Sequence, residues 1–182
     1  MNSASKINVI IPVYNVEQYL EQCVRFILEQ SYSVFERLLV DDGSTDGSGE
    51  LCERARRSAA VNDIVFLGRR DDPQNFFSQV DICVMPSLWE GLTLVLLEAL
   101  SGGVPVVANA CDGILDVLRD GENGLLVAPA DAGAHVAALE LLCNDASLRD
   151  RLGAKERSDY EKEYSFETWR ERCLDFYREA MR

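Results

Sequence analysis

What most limits the fold of this chain is a recurrence. Short apolar, β-branched runs of about five residues each end in a turn signal and lead into a stretch at helical spacing. The runs are Ile7–Pro12, Arg37–Asp41, Ile64–Gly68, Ile82–Pro86, Pro105–Ala108 and Leu125–Val127. Between the first two, VEQYLEQCVRFILEQ sets Tyr19, Leu20, Cys23, Ile27 and Leu28 along one helical face, which makes a βαβ unit. Further helices are expected over Thr45–Arg57, Gln74–Val80, Leu92–Ser101, Gly113–Arg119 and Ala132–Cys143. The strand runs do not alternate apolar with polar residues, so each should be covered on both faces. Strict β-α alternation of such strands predicts an α/β fold: one doubly wound, Rossmann-like parallel sheet of about six strands in the order 3-2-1-4-5-6. The charged run SLRDRLGAKERSDYEKEYS and a closing amphipathic helix, FETWRERCLDFYREAMR, complete residues 1–182 as one domain. Trp169, Cys173, Phe176, Tyr177 and Ala180 share a face of that helix, and an uncovered aromatic stripe implies a possible weak homodimer through it.

Charge and cysteine spacing narrow the chemistry. The 182 residues carry 18 basic and 31 acidic side chains, a net −13, which repels nucleic acid and anionic lipid. No apolar run is long enough to span a bilayer and no secretory signature opens the sequence, so a cytoplasmic protein without membrane insertion is expected. The six cysteines stand 28 to 32 residues apart. Metal knuckles and redox pairs need far closer spacing, so these are expected to be small buried side chains, one per strand-helix repeat. His135 is the only histidine, which leaves no support for a histidine base or a triad.

In a doubly wound sheet the carboxyl ends of all strands open on one edge, where ligands bind. That edge collects Tyr14, Asn15, Asp41, Asp42, Gly43 and Ser44, then Arg69 and Arg70, then Pro86, Ser87, Glu90 and Gly91, and finally Asn109 and Asp112. Adjacent carboxylates at Asp41 and Asp42 call for hydroxyls, an amide edge or a cation. DDGSTDGS is equally good turn and helix-capping chemistry, and both readings stand at this point.

Two resemblances add to this. IIPVYNVEQYLEQCVRFILEQSYSVFERLLVDDGSTDGSGELCE resembles the opening of the large inverting GT-A glycosyltransferase family. That resemblance implies that Tyr14, Asp41 and, as a second candidate, Asp42 hold the uridine of a UDP-sugar. It covers about residues 1–60, and the family's Asp-x-Asp metal motif and later catalytic Asp have no counterpart, so no metal is expected. From about residue 61 onward the chain resembles the carboxyl-terminal domain of retaining, group 1 type GT-B glycosyltransferases, through FLG, DICVMPS, EGLTLVLLEA, GGVPVVA and NGLLV in order. This implies Glu98 on the ribose hydroxyls and Glu90 facing the donor sugar as the catalytic candidate. Gly91, Leu92 and Thr93, which open a helix, would receive the diphosphate. No further cofactor is implied.

The departures are specific. The loop after the first strand, Tyr14-Asn15-Val16-Glu17, lacks the family's basic pair, and Cys111-Asp112-Gly113 replaces its Gly-Gly. No stretch resembles an acceptor-binding domain. The expectation is a UDP-sugar-binding domain built from two glycosyltransferase parents. It either transfers sugar or is a non-catalytic chimera with at most weak nucleotide binding.

Overall fold

The computed structural model describes residues 7–30, 35–58, 64–66 and 76–182. The chain divides into two compact units, 1–71 and 72–182.

In the first unit, strand β1 (Ile7–Val13) lies parallel to β2 (Phe35–Asp41), paired from Ile7 with Phe35 to Val13 with Asp41. Strand β3 (Ile64–Phe66) extends the sheet on the far side of β2. Helix α1 (Glu17–Leu28) and helix α2 (Ser48–Ser58) connect the strands. Val13, Leu20, Leu39 and Cys52 are buried together, so β1, α1, β2 and α2 each give an apolar face to one small core. Helix α2 begins later than the expected Thr45, because the preceding residues are taken up in a turn.

The second unit holds β4 (Cys83–Met85), helix α3 (Leu94–Gly102), β5 (Val106–Asn109), helix α4 (Asp112–Leu115) and β6 (Leu125–Val127). Helices α5 (Ala132–Asn144) and α6 (Ala146–Asp159), a π turn (Tyr160–Tyr164) and helix α7 (Phe166–Ala180) follow. β5 lies between β4 and β6, and all four of its residues are buried. Val106 and Ala108 pack on Leu96, Ala99 and Leu100 of α3, while Val107 points the other way onto Leu142 and Leu152. This is the two-sided covering that the unbroken apolar run demanded. Where α3 ends, Gly103 adopts the left-handed conformation at φ 67°. A side chain added to Gly153 of α6 would stand 2.1 Å from the Gly103 carbonyl, so the two backbones meet with no room for a Cβ.

Two expectations are corrected. The described strands form two three-stranded parallel sheets, β1-β2-β3 and β4-β5-β6, in place of one six-stranded sheet. The neighbours within each half are as expected. Pro12, with no N–H to donate, lies in β1, and proline belongs to edge strands, which is the position β1 takes. The cysteines also differ: Cys52, Cys83 and Cys111 are buried, but Cys143 is exposed and Cys23 and Cys173 are half-buried. Those three lie on helices, where a residue's angular position decides burial. No helix among the described residues is long and apolar enough to cross a membrane.

Candidate functional site

The strand ends of the first unit carry a lattice of bonds between two loops. Asn15, in the left-handed region at φ 51°, donates its N–H to Ser44 Oγ at 3.1 Å. Its side-chain oxygen accepts the Thr45 N–H at 2.8 Å. Val16 donates to Ser48 Oγ at 3.0 Å and Glu17 to Asp46 Oδ2 at 3.1 Å, so the first amides of α1 end on side chains that precede or open α2. Glu17 returns the contact by accepting the Gly47 N–H at 3.0 Å. Each helix start is thus occupied by a carboxylate of the other loop, a favourable pairing with the positive end of a helix dipole. The Ser48 side chain foremost, then the Ser48 and Glu17 amides, hold the Asp46 carboxyl below its usual range.

Within that lattice Asp41 closes its own turn. Its Oδ1 accepts both the Ser44 N–H, at 3.1 Å, and the Ser44 hydroxyl, at 2.5 Å. Its Oδ2 faces Gly49, where an added Cβ would stand 3.3 Å away. Asp42 is exposed, and its N–H donates to the Val13 carbonyl at 2.9 Å. Tyr14 is exposed at the tip of the first loop. The capping reading of DDGSTDGS therefore describes what Asp41 and Asp46 do in this fold, and Asp42 and Tyr14 are the groups left facing solvent.

The strand ends of the second unit are arranged around the start of α3. Thr93 is extended and makes no side-chain cap, and among the described residues no side chain bonds the first amides of this helix. By contrast, Asp131, Asp145 and Ser165 cap α5, α6 and α7. Gly91 and Leu92 are exposed just before α3. Glu98, one turn into the helix, is half-buried, and burial pushes its carboxyl above the usual range. Glu90 is half-buried beside Leu88, Trp89, Ala110, Cys111, Asp112 and Pro129, in a shallow cleft of about 280 Å³ whose lining, among the described residues, has two carboxylates and no Lys or Arg. Arg69 and Arg70 lie outside the described residues.

Three residues support this second edge; sequence reasoning placed Asn109 there without its bonds and did not find the roles of Gly113 and Asn123. The Gly113 N–H donates to the Glu90 carbonyl at 3.1 Å, and a Cβ at Gly113 would fall 2.2 Å from the Gly91 carbonyl oxygen. Only glycine lets α4 seat directly on the Glu90-Gly91 backbone, and this strict requirement hides in a segment that reads as an ordinary helix start. Asn109, buried at the end of β5, donates from Nδ2 to the carbonyls of Pro86 at 2.8 Å and Ser87 at 3.1 Å, so it ties β5 to the loop that carries Glu90. Asn123 caps the loop before β6: its Oδ1 accepts the Arg119 N–H at 2.6 Å, and its Nδ2 donates to Val117 O and Asp159 Oδ2. The Asn-Gly pair at Asn123 was a turn signal that pointed to it.

Comparison with known proteins assigns these features to a family. Residues 9–145 match the family described as glycosyl transferases group 1. The chain is 42% identical over 90 residues to the lipopolysaccharide core biosynthesis glycosyltransferase LpsE of Rhizobium meliloti, which covers 50% of the chain and 26% of that protein. It is 55% identical over 47 residues to the glycosyltransferase GlyG of Streptococcus pneumoniae, covering 26% of the chain and 16% of that protein. Among solved structures it superposes on a sucrose-phosphate synthase from Thermosynechococcus elongatus with a TM-score of 0.73 at 24% identity, covering 98% of the chain and 46% of that structure. HepE of Anabaena, in complex with UDP-glucose, gives 0.72 at 21% identity, covering 97% and 50%. The fold is thus of the GT-B type, and the chain spans half or less of the length of each of these proteins. It belongs to the group 1 glycosyl transferases.

Proposed function

We propose that this member of the group 1 glycosyl transferases binds a UDP-sugar at the carboxyl edge of β4 and β5 and serves glycosyl transfer with retention. The observation that carries the reading is the start of α3: exposed Gly91 and Leu92, an extended Thr93 with no cap, and helix amides that no described side chain takes up. A helix N-terminus of this kind suits a diphosphate. In this reading Glu98, one turn further on, accepts the ribose hydroxyls from a desolvated position, which strengthens each bond it makes. Glu90 faces the donor sugar from the cleft, Gly113 holds its carbonyl, and Asn109 holds the Pro86-Ser87 stretch of the loop that carries it. Retaining chemistry of this kind stabilises leaving-group charge with positioned donors and asks for no deep general base. HepE, a neighbour in fold, is solved with UDP-glucose, which supports UDP-sugars as the donor class.

The first 60 residues are read as the GT-A-like half of a hybrid. The support for that reading is the sequence resemblance of this stretch, while the group 1 match itself runs over residues 9–145. Tyr14, Asp41 and Asp42 are then the uridine-binding candidates of that half by itself, and Asp41 is the weaker one because its Oδ1 is already bonded twice by Ser44. A second reading, a non-catalytic nucleotide-binding chimera, is favoured by one observation: among the described residues, Glu90 and Asp112 line the cleft with no basic side chain.

Titration with UDP tests the site. Glu98→Gln is expected to weaken binding about ten- to a hundredfold, the worth of a charge-assisted hydrogen bond. Asp41→Asn should weaken it less, and EDTA should leave it unchanged. Unaltered affinity in Glu98→Gln would remove Glu98 from the site. Transfer or hydrolysis across a panel of UDP-sugars then separates the readings: turnover that is lost in Glu90→Gln supports the transferase, and binding without turnover supports the chimera.

A further inference from the structure

The cleft beside Glu90 bears on which sugar it can take. At about 280 Å³ it falls just below the roughly 300–1,000 Å³ of sites that hold a drug-sized ligand, which leaves room for one sugar ring and not for a whole nucleotide sugar. Two loops form most of its lining, Leu88-Trp89-Glu90 after β4 and Ala110-Cys111-Asp112 after β5. Asn109 ties the first loop to β5 through the Pro86 and Ser87 carbonyls, and the Gly113 N–H ties the second loop to the Glu90 carbonyl at 3.1 Å. The two loops are thereby fixed to one another, and Glu90 and Asp112 with them.

Trp89 is 80% exposed, so its indole is free to meet a ligand. The charged side chains of the lining, among the described residues, are the carboxylates of Glu90 and Asp112, which accept hydrogen bonds and when ionised donate none. A pyranose ring matches this surface. Its C–H face is apolar and can lie on the indole, while its hydroxyls donate to the carboxylates in charge-assisted bonds. An acidic sugar does not match, because its own carboxylate has no proton to donate and brings a third negative charge within the breadth of one ring.

We propose that the cleft selects a donor sugar that carries no negative charge, and that Asp112 is the residue that sets this selection. The inference rests on the UDP-sugar reading above and carries it from the nucleotide to the sugar. Glu90 already faces the sugar in that reading, and Asp112 doubles the negative charge that the sugar meets.

Calorimetric titration of the full chain with UDP, UDP-glucose and UDP-glucuronate tests this. The two sugars differ only at C6, where a hydroxymethyl group becomes a carboxylate. UDP-glucose is expected to bind about tenfold more tightly than UDP-glucuronate, the scale of one partly screened like-charge contact, and added salt should narrow the gap. Asp112→Asn, a change at an exposed position, should reduce the ratio of the two affinities to about threefold, with Glu90 supplying the remainder. UDP binding together with equal affinity for the two sugars overturns the inference and leaves the nucleotide site standing, as does a ratio that Asp112→Asn does not alter. Failure of UDP itself to bind overturns the UDP-sugar reading and this inference with it.

Discussion

Glu156 carries an unusual state for a carboxyl group. It is fully buried in α6, its Oε1 accepts the Val106 N–H at 3.0 Å, and its Oε2 has no partner among the described residues. Burial pushes its pKa up to about 9, opposed by the Val106 amide and aided by the negative charge of nearby Asp159. Asp159 goes the other way: burial works against its ionisation, but Lys155, Asn123 and Arg119 outweigh it and hold the carboxyl low. One acid is thus kept neutral and the next kept charged, three residues apart. The unfolded chain releases the Glu156 proton near pH 4.5 and the folded chain retains it to about 9. Between those values the folded state binds more protons, so stability falls as pH rises, with a limiting slope of about 1.4 kcal/mol per pH unit, and levels off above 9. Glu156→Gln keeps the shape and cannot ionise. Urea unfolding should therefore show a clearly flatter pH dependence in this variant across that window, and identical profiles would assign the retained proton to another group.

At the scale of elements, α1 and α2 depend on one another for their first hydrogen bonds. Sequence reasoning read DDGSTDGS as either a ligand loop or a cap, and the structure makes it a cap shared by two helices: Ser48 serves Val16, Asp46 serves Glu17, and Glu17 serves Gly47. The composition of the loop was legible. Its partner was not, because the bonds join positions about thirty residues apart that share no periodic pattern. Ser48 is fully buried, so Ser48→Ala leaves the Val16 amide without its acceptor and should cost about 0.5–2 kcal/mol, the range for a lost helix cap. Hydrogen exchange would locate the loss in the first turn of α1, although the substitution lies in α2. A loss confined to α2 would mean that the two helix starts are independent.

For the molecule as a whole, the two units have separate apolar cores, Val13, Leu20, Leu39 and Cys52 in one and the residues around β5 in the other. A ligand stabilises what it binds, by about 2.7 kcal/mol at a hundredfold excess over its dissociation constant. UDP held at the start of α3 should therefore raise amide protection in β4, β5 and α3 more than in β1 and β2. The comparison can be made in one exchange experiment on the intact chain. An equal rise in both units would mean that Tyr14 and Asp41 hold the nucleotide as strongly as Glu98 does.

Among the described residues, the sequence by itself determined the alternation of strands and helices within each half, the neighbours of each strand there, the double covering of β5 and the residues that stand at the strand ends. These follow from local conformational preference and the period of apolar residues, which any stretch of chain carries within itself. Tertiary structure alone decided that the strands form two sheets, that Asp41 and Asp46 are engaged in turns and caps, and that Glu90 rests on Gly113. It also decided that Glu156, fifty residues from its partner Val106, is buried and protonated. The physical reason is that a carboxylate looks the same in sequence whether it faces water, a helix amide or a core. Its charge, its free lone pairs and hence its chemistry depend on the groups that distant segments bring against it.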